Sequence, residues 1–493
     1  MKVAKNSFHF ILIIIFFLTH GYKENFGLIS FINMLIFFAL ATLAGLTLFF
    51  IFQKIFQYSI KTGIWISCLA IIFLFFGAFM DFIQSISFLQ PIIKYRFLLP
   101  LLLGILILLF VFLQRTKKSL FVINRYITVL FLIFILIDII SIIVFSVTPA
   151  KRNSRLVNID FNYPMPACDD CARPDIYLIL LDDYTGSDGL KRNLHYDNSD
   201  FENFLTTSGF HVVAGARSNY TTTILSIASL LNMSYLSGFT KPELIAQDYS
   251  RILPIISTNK ATSYLTSQGY DFINYSIFDI NNQQPAFSRN FFPSEFELIF
   301  DKTLIKRLSK DLVLDLNIAG LKIKWGIEME DEKVVQTNMQ IIKNTIAESN
   351  KKNTRSKFVY THLIMPHPPY WNDSTGKVIR KSYNVPFAEH NSYYLNYLVY
   401  TNKIVKDMIR SLHANTNNNA VIILLSDHGH SGFYPPVKKE DFYTTLNAVF
   451  LPGMNYDGFY EGMSNVNEFR ILFNKLFNHH LPMAKDSLLS IRD

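Results

Sequence analysis

Five apolar runs occupy the first third of the chain, at roughly residues 8–21, 28–53, 63–84, 97–114 and 124–148. The last four reach or approach the ~20 residues that a helix needs to cross a bilayer. The first is shorter and follows Lys2 and Lys5, as the apolar stretch of a secretion signal does. "LTHGYKENF" after it lacks a small-residue cleavage site, so this run is predicted to remain as a first helix. From residue 174 the pattern changes. "DIYLILLDD" (175–183), "FHVVAGA" (210–216), "YDFINYS" (270–276), "KFVYTHLIM" (357–365) and "AVIILLSDHGH" (420–430) are strand-length and apolar. Between them, 200–209, 223–236, 328–349 and 390–413 have helical spacing. Near-continuous apolar strands separated by helices predict an α/β domain with a largely parallel central sheet, covered on both faces.

The expected organisation is a five-helix transmembrane domain at 1–148, a polar linker at 149–173 and a catalytic domain at 174–493. The loops orient it. Lys2 and Lys5, Lys54 and Lys61, and Arg115, Lys117 and Lys118 fall on one side, which is predicted to be cytoplasmic. Five crossings then place the C-terminal domain outside the cell membrane, a bacterial inner membrane in this reading. Half the residues are hydrophobic, 46 of them Phe, and this excess lies almost wholly before residue 150. The net charge of +8 follows from basic residues flanking membrane helices, so the membrane is an expected partner and nucleic acid is not. Asp81 and Asp138 are the acids within the apolar runs, too few for an ion pathway, so transport is not expected. Cys168 and Cys171, in "CDDC", cannot make a four-ligand zinc site alone, and a short disulfide is open to them outside the cytosol.

In open parallel sheets, sites form where loops leave the carboxyl ends of strands. Asp182 and Asp183 leave one buried strand; Asp427, His428 and His430 leave another. Either group alone reads equally well as helix capping, but together they make a mixed oxygen and nitrogen set suited to Zn²⁺ or Mn²⁺. A third exit carries "THLIMPHPPY", in which His362 lies within the strand and His367 in a proline-locked turn. The first is the more ordinary structural position; the second suits a general acid or a phosphate ligand. Finally, "SNYTTTILSIASLLN" (218–232) sets three threonines at a helix start, where unpaired N–H groups favour a phosphate or sulfate. There a threonine could cap the helix or, beside a metal, act as a nucleophile.

An acid after the first strand, a hydroxyl at a helix start, "PHPPY" and "SDHG" occur in the order Asp182, Thr223, His367, Asp427–His428. In that order they resemble the alkaline phosphatase superfamily, specifically its sulfatase-like membrane transferases. These include lipoteichoic acid synthases and lipid A phosphoethanolamine transferases. The resemblance implies a sulfatase-like α/β fold over 174–453. It also selects Thr223, since a T-x-x-S spacing is met by Thr223 and Ser226 and by neither Thr221 nor Thr222. It further implies that Asp182, Thr223, Asp427 and His428 hold a divalent metal. Thr223 would take a phospholipid head group, phosphoethanolamine or phosphoglycerol, as a phospho-threonine and pass it to an envelope glycan or lipid. His367 would bind phosphate or protonate the leaving alcohol. Asp183 matches a second Asp that sulfatases use, while His362 and His430 are further candidates for metal or substrate. The C/S-x-P-x-R motif of formylglycine sulfatases is absent from "TTTILSIA". A phosphodiesterase or sulfuric ester hydrolase of the same superfamily is the alternative.

Overall fold

The computed structural model describes residues 7–84, 86, 94–147, 157–239, 243–288, 291–311, 314–318, 321–325, 328–381 and 386–491. Lys2, Lys5 and the start of the predicted linker, to residue 156, lie outside them. The chain forms two compact units: Met1–Arg155 with Pro293–Gly326, and Leu156–Phe292 with Ile327–Asp493.

In the first unit each apolar run is a helix: α1 (His9–Glu24), α2 (Phe31–Phe56), α3 (Ser59–Gln84), α4 (Tyr95–Arg115) and α5 (Phe121–Val147). The last four are long and apolar enough to cross a membrane. The short α1 instead packs among α2, α3 and α5, with Phe10 and Ile13 fully buried. The two acids of the apolar runs are both paired within the unit. Asp138 of α5, almost wholly buried, lies 2.9 Å from Lys23 Nζ and 3.2 Å from His20 Nδ1 of α1. Asp81 of α3 accepts from Arg307 Nη2 at 2.9 Å and from Lys302.

Those partners of Asp81 belong to Pro293–Gly326, a segment inside the span predicted as catalytic domain. Its first helix, Glu295–Phe300, is closed by a capping box in which Ser294 and Glu297 bond each other's backbone N–H. Its apolar side turns toward the bundle: Phe300 packs 5.7 Å from Phe17 and 5.4 Å from Phe37, ring to ring. A few residues on, Gly77 N donates to Lys302 O at 2.7 Å, and a Cβ at Gly77 would stand 2.8 Å from Lys302 Cα. Only glycine allows that approach.

The second unit is built on a six-stranded sheet of β1 (Ile176–Leu181), β2 (His211–Val212), β3 (Asp271–Tyr275), β4 (Lys357–Leu363), β5 (Val421–Ser426) and β6 (Asn447–Phe450). Their spatial order is β2-β6-β5-β1-β4-β3. The four strands from β5 to β3 are parallel and the β6 and β2 edge is antiparallel. β1, β4 and β5 are buried at every position, which explains the unbroken apolar runs of β1 and β5, while β4 also buries Lys357, Thr361 and His362. Helix α6 (Thr223–Asn232) packs against the helix Glu468–Phe477, while α7 (Glu328–Asn350) packs against β4 and α8 (His390–Thr416). Two predicted elements are shorter than expected. "FHVVAGA" contributes only the two-residue β2 before Gly215 turns at φ +63°, and the helix at 223 stops at Asn232 because Met233 takes a left-handed conformation. Cys168 and Cys171 form a disulfide.

Candidate active site

Register decides where the chemistry collects. Leu181 of β1 stands between Ser426 of β5 and Leu363 of β4, so the three central parallel strands end level with one another. The next residues therefore meet. Asp182 N donates to Leu363 O at 3.0 Å, and Asp427 Oδ1 accepts from Asp183 N at 3.1 Å and from His428 N at 2.9 Å. One donor atom each from Asp182, Asp427 and His428 lies within 4.8 Å of the others, and all three residues are buried.

Thr223 completes the group from the start of α6. Its Oγ1 is 3.3 Å from His428 Nε2. His428 Nδ1 donates to Gly429 O at 3.1 Å, which leaves Nε2 to face the threonine. Gly429 itself is required: a Cβ there would come within 2.6 Å of Thr444 O and 3.0 Å of Asp441 O. The Thr-x-x-Ser spacing also has a local reason, because Ser226 Oγ donates to Tyr220 O at 3.1 Å and ties the first helical turn to the segment before it. Helix capping does not use the neighbouring hydroxyl. Thr222 is the N-cap residue, yet its side chain makes no cap hydrogen bond and its buried Oγ1 has no hydrogen-bond partner.

These residues could hold a divalent metal. Asp182 Oδ1 and Asp427 Oδ2 are buried without hydrogen-bond partners, an arrangement that is costly unless a cation takes them up. Burial alone would raise the pKa of Asp182, but His367, His362 and His428 outweigh it and hold the carboxyl below its ordinary value. For Asp427, burial wins, aided by the charge of Asp182, and its pKa is raised. Burial disfavours a charged His428, yet Asp427, Asp183 and Asp182 together lift its pKa to about 9. Carboxylate, carboxylate and imidazole with a nearby hydroxyl form a donor set of the kind that zinc and manganese accept.

The other predicted residues surround this group. Asp183 stands outside the cluster and braces its histidines: Oδ2 is 2.6 Å from His430 Nδ1 and Oδ1 is 3.6 Å from His428 Nδ1. It does so from a left-handed backbone at φ +66°, a strained conformation for Asp. His430 is stacked on Tyr394 at 4.0 Å and held by its N–H to Thr185 Oγ1 at 2.9 Å. His362 lies fully buried behind Asp182, with Nε2 3.6 Å from Asp182 Oδ2 and Nδ1 3.2 Å from Tyr360 Oη. His367 is half-buried, its Nδ1 donating to Pro368 O at 2.5 Å, and is near enough for its charge to act on Asp182. Sequence reasoning missed Tyr394, which donates to Asp183 O at 2.9 Å and accepts from Thr185 N at 3.0 Å. In the sequence it is one aromatic among several in an amphipathic helix; nothing in its spacing marks it out.

A family model described as sulfatase matches residues 186–475, more than half of the 493-residue chain. No curated protein matches the chain. Among solved structures, the chain is similar to the C-terminal periplasmic domain of EcEptC from Escherichia coli in complex with Zn. The identity is 13%, over 66% of this chain and 90% of that one, at a TM-score of 0.38. It is also similar to the C-terminal periplasmic domain of phosphoethanolamine transferase EptC from Campylobacter jejuni, at 15% identity over 62% and 91% of the two chains and a TM-score of 0.35. The phosphonate monoester hydrolase SpPMH from Silicibacter pomeroyi is similar at 13% identity, over 65% and 77% of the chains, with a TM-score of 0.39.

Proposed function

The chain belongs to the sulfatase family of the alkaline phosphatase superfamily, and on that footing we propose that it is a membrane-anchored, metal-dependent transferase. It moves a phospholipid head group to an envelope glycan or lipid through Thr223. The observation that carries this reading is the hydroxyl at the start of α6, 3.3 Å from His428 Nε2, in a cluster where Asp182 Oδ1 and Asp427 Oδ2 are buried without a hydrogen bond. A threonine where formylglycine sulfatases place Cys or Ser favours phosphorus over sulfur as the centre attacked.

Asp182, Asp427, His428 and Thr223 would hold the metal, Zn²⁺ or Mn²⁺. When bound, it supplies Lewis acidity that lowers the hydroxyl pKa and offsets charge on the phosphoryl oxygens. Thr223 gives its hydroxyl proton to solvent, and its Oγ forms a bond to phosphorus as the bond to the diacylglycerol oxygen breaks, with His367 giving that oxygen its proton. The acceptor hydroxyl then attacks the same phosphorus and passes its proton to His367, while the bond to Thr223 Oγ breaks and that oxygen takes a proton back from solvent. Asp183, His430 and His362 keep the reacting groups in place. The helices anchor the enzyme in the inner membrane with the second unit outside, where a Cys168–Cys171 disulfide persists.

The test is the intact mass of the full-length protein after incubation with Zn²⁺ and vesicles of phosphatidylglycerol or phosphatidylethanolamine. An adduct of one phosphorylated head group on Thr223 is expected. Thr223→Ala should lose it and slow turnover roughly a thousandfold or more. Full turnover in Thr223→Ala would overturn the assignment. Free phosphorylated head group in the buffer, with no modified acceptor, would make the enzyme a phosphodiesterase instead.

A further inference from the structure

A cavity of about 320 Å³ is lined by residues that neighbour the candidate site in sequence. Thr221 and Thr222, immediately before Thr223, form one wall, and Ser431, immediately after His430, forms another. The turn at 439–443 adds Lys439, Phe442 and Tyr443, while Ser490 closes the far side and hydrogen-bonds with Tyr443. The lining is thus rich in hydroxyl groups, each able to donate and to accept. Lys439 adds an exposed ammonium that can only donate. No acid lines the cavity among the described residues; Glu440 acts on Tyr443 through its charge but is not part of the wall.

Thr222 is the lining residue with an unmet hydrogen bond. It is 4% exposed, caps nothing, and its hydroxyl oxygen has no partner in the protein. A buried hydroxyl in that condition calls for a partner from outside the protein. A ligand hydroxyl would supply it. A ligand ammonium would meet the Lys439 ammonium in a cavity whose wall offers no carboxylate to bind it.

Resting on the transferase reading above, we infer that this cavity is a subsite for an uncharged polyol and discriminates against a primary ammonium. The polyol is either a glycerol-like head group of the donor or a hydroxyl-bearing sugar of the acceptor. The full-length enzyme with Zn²⁺ is given phosphatidylglycerol or phosphatidylethanolamine in phosphatidylcholine vesicles, and adduct formation on Thr223 is timed. Phosphatidylglycerol should react at least about tenfold faster, and Thr222→Val or Lys439→Glu should each cut that ratio about tenfold. Each variant is compared with itself across the two donors, so partial loss of folding cancels. Equal donor rates, together with a Thr222→Val defect confined to transfer from phospho-Thr223 to a sugar acceptor, would assign the polyol to the acceptor. Equal rates with neither half-reaction altered in either variant would overturn the subsite. No adduct from either donor would fail the underlying reading instead.

Discussion

At the scale of single residues, the site separates groups that face the reaction from groups that hold them. Asp183 is of the second kind, since it touches His428 and His430 and no atom of Thr223. Asp183→Asn should weaken Zn²⁺ binding by about 10–100-fold, measured by chelator competition, as loss of a brace behind a metal ligand commonly does. An unchanged affinity would remove it from the metal's support. His428 gives a pH dependence with a definite sign. With its pKa raised to about 9, it carries a proton in the metal-free protein at neutral pH, and a metal ligand must lose that proton. Zn²⁺ affinity should therefore rise about tenfold per pH unit from pH 7 toward 9 and level off above, as followed by calorimetry in buffers of different ionisation enthalpy. A flat profile would show that His428 binds no metal. The residues proposed to touch the reaction are legible in the sequence, because strand exits and a hydroxyl at a helix start are local patterns. Asp183's role as a brace was not, because it depends on a left-handed backbone and on partners more than two hundred residues away.

At the scale of elements, the site depends on two tight turns. The β5 exit passes Gly429 so close to Thr444 O that a methyl group cannot fit. Gly429→Ala should destabilise the second unit by about 1–3 kcal/mol, read from chemical denaturation, and lower metal affinity at the same time. A fully stable, metal-competent variant would show that the turn yields more easily than its geometry implies. At α6, Ser226→Ala removes one buried hydrogen bond to Tyr220 O and should cost about 1 kcal/mol while leaving Thr223 in place. The near-continuous apolar runs of β1, β4 and β5 announced a covered parallel sheet. β2 was overestimated from the same kind of signal, since apolar residues alone do not say how far an edge strand stays paired.

At the scale of the molecule, the chain is not divided where its composition changes. Pro293–Gly326 follows the sheet's third strand in sequence yet belongs to the helical unit. A fragment starting at residue 157 should therefore expose Ile299 and Phe300, bind a hydrophobic dye and stay monodisperse only in detergent, whereas the full chain in detergent binds no excess dye. Size-exclusion chromatography with dye titration measures both. A monodisperse fragment in plain buffer would show that the segment is content without α1 and α2. The segment is not legible as part of the helical unit because its two helices are short, 6 and 8 residues, and both carry charges, whereas a membrane span is a long run with few of them.

The sequence by itself determined what periodicity and local chemistry can encode: apolar helices, a parallel sheet, and which strand exits bear carboxylates, imidazoles and a hydroxyl. Tertiary structure decided what only register and packing can fix. It set β1, β4 and β5 level, so that Asp182 and Asp427 meet His428 and Thr223. It also turned Asp183 into a brace and left Thr222 buried beside a cavity with an unpartnered hydroxyl. The physical reason is range: a repeat of two or 3.6 residues is written in neighbouring positions, whereas a distance of three ångströms between residues 223 and 428 exists only once the sheet has closed.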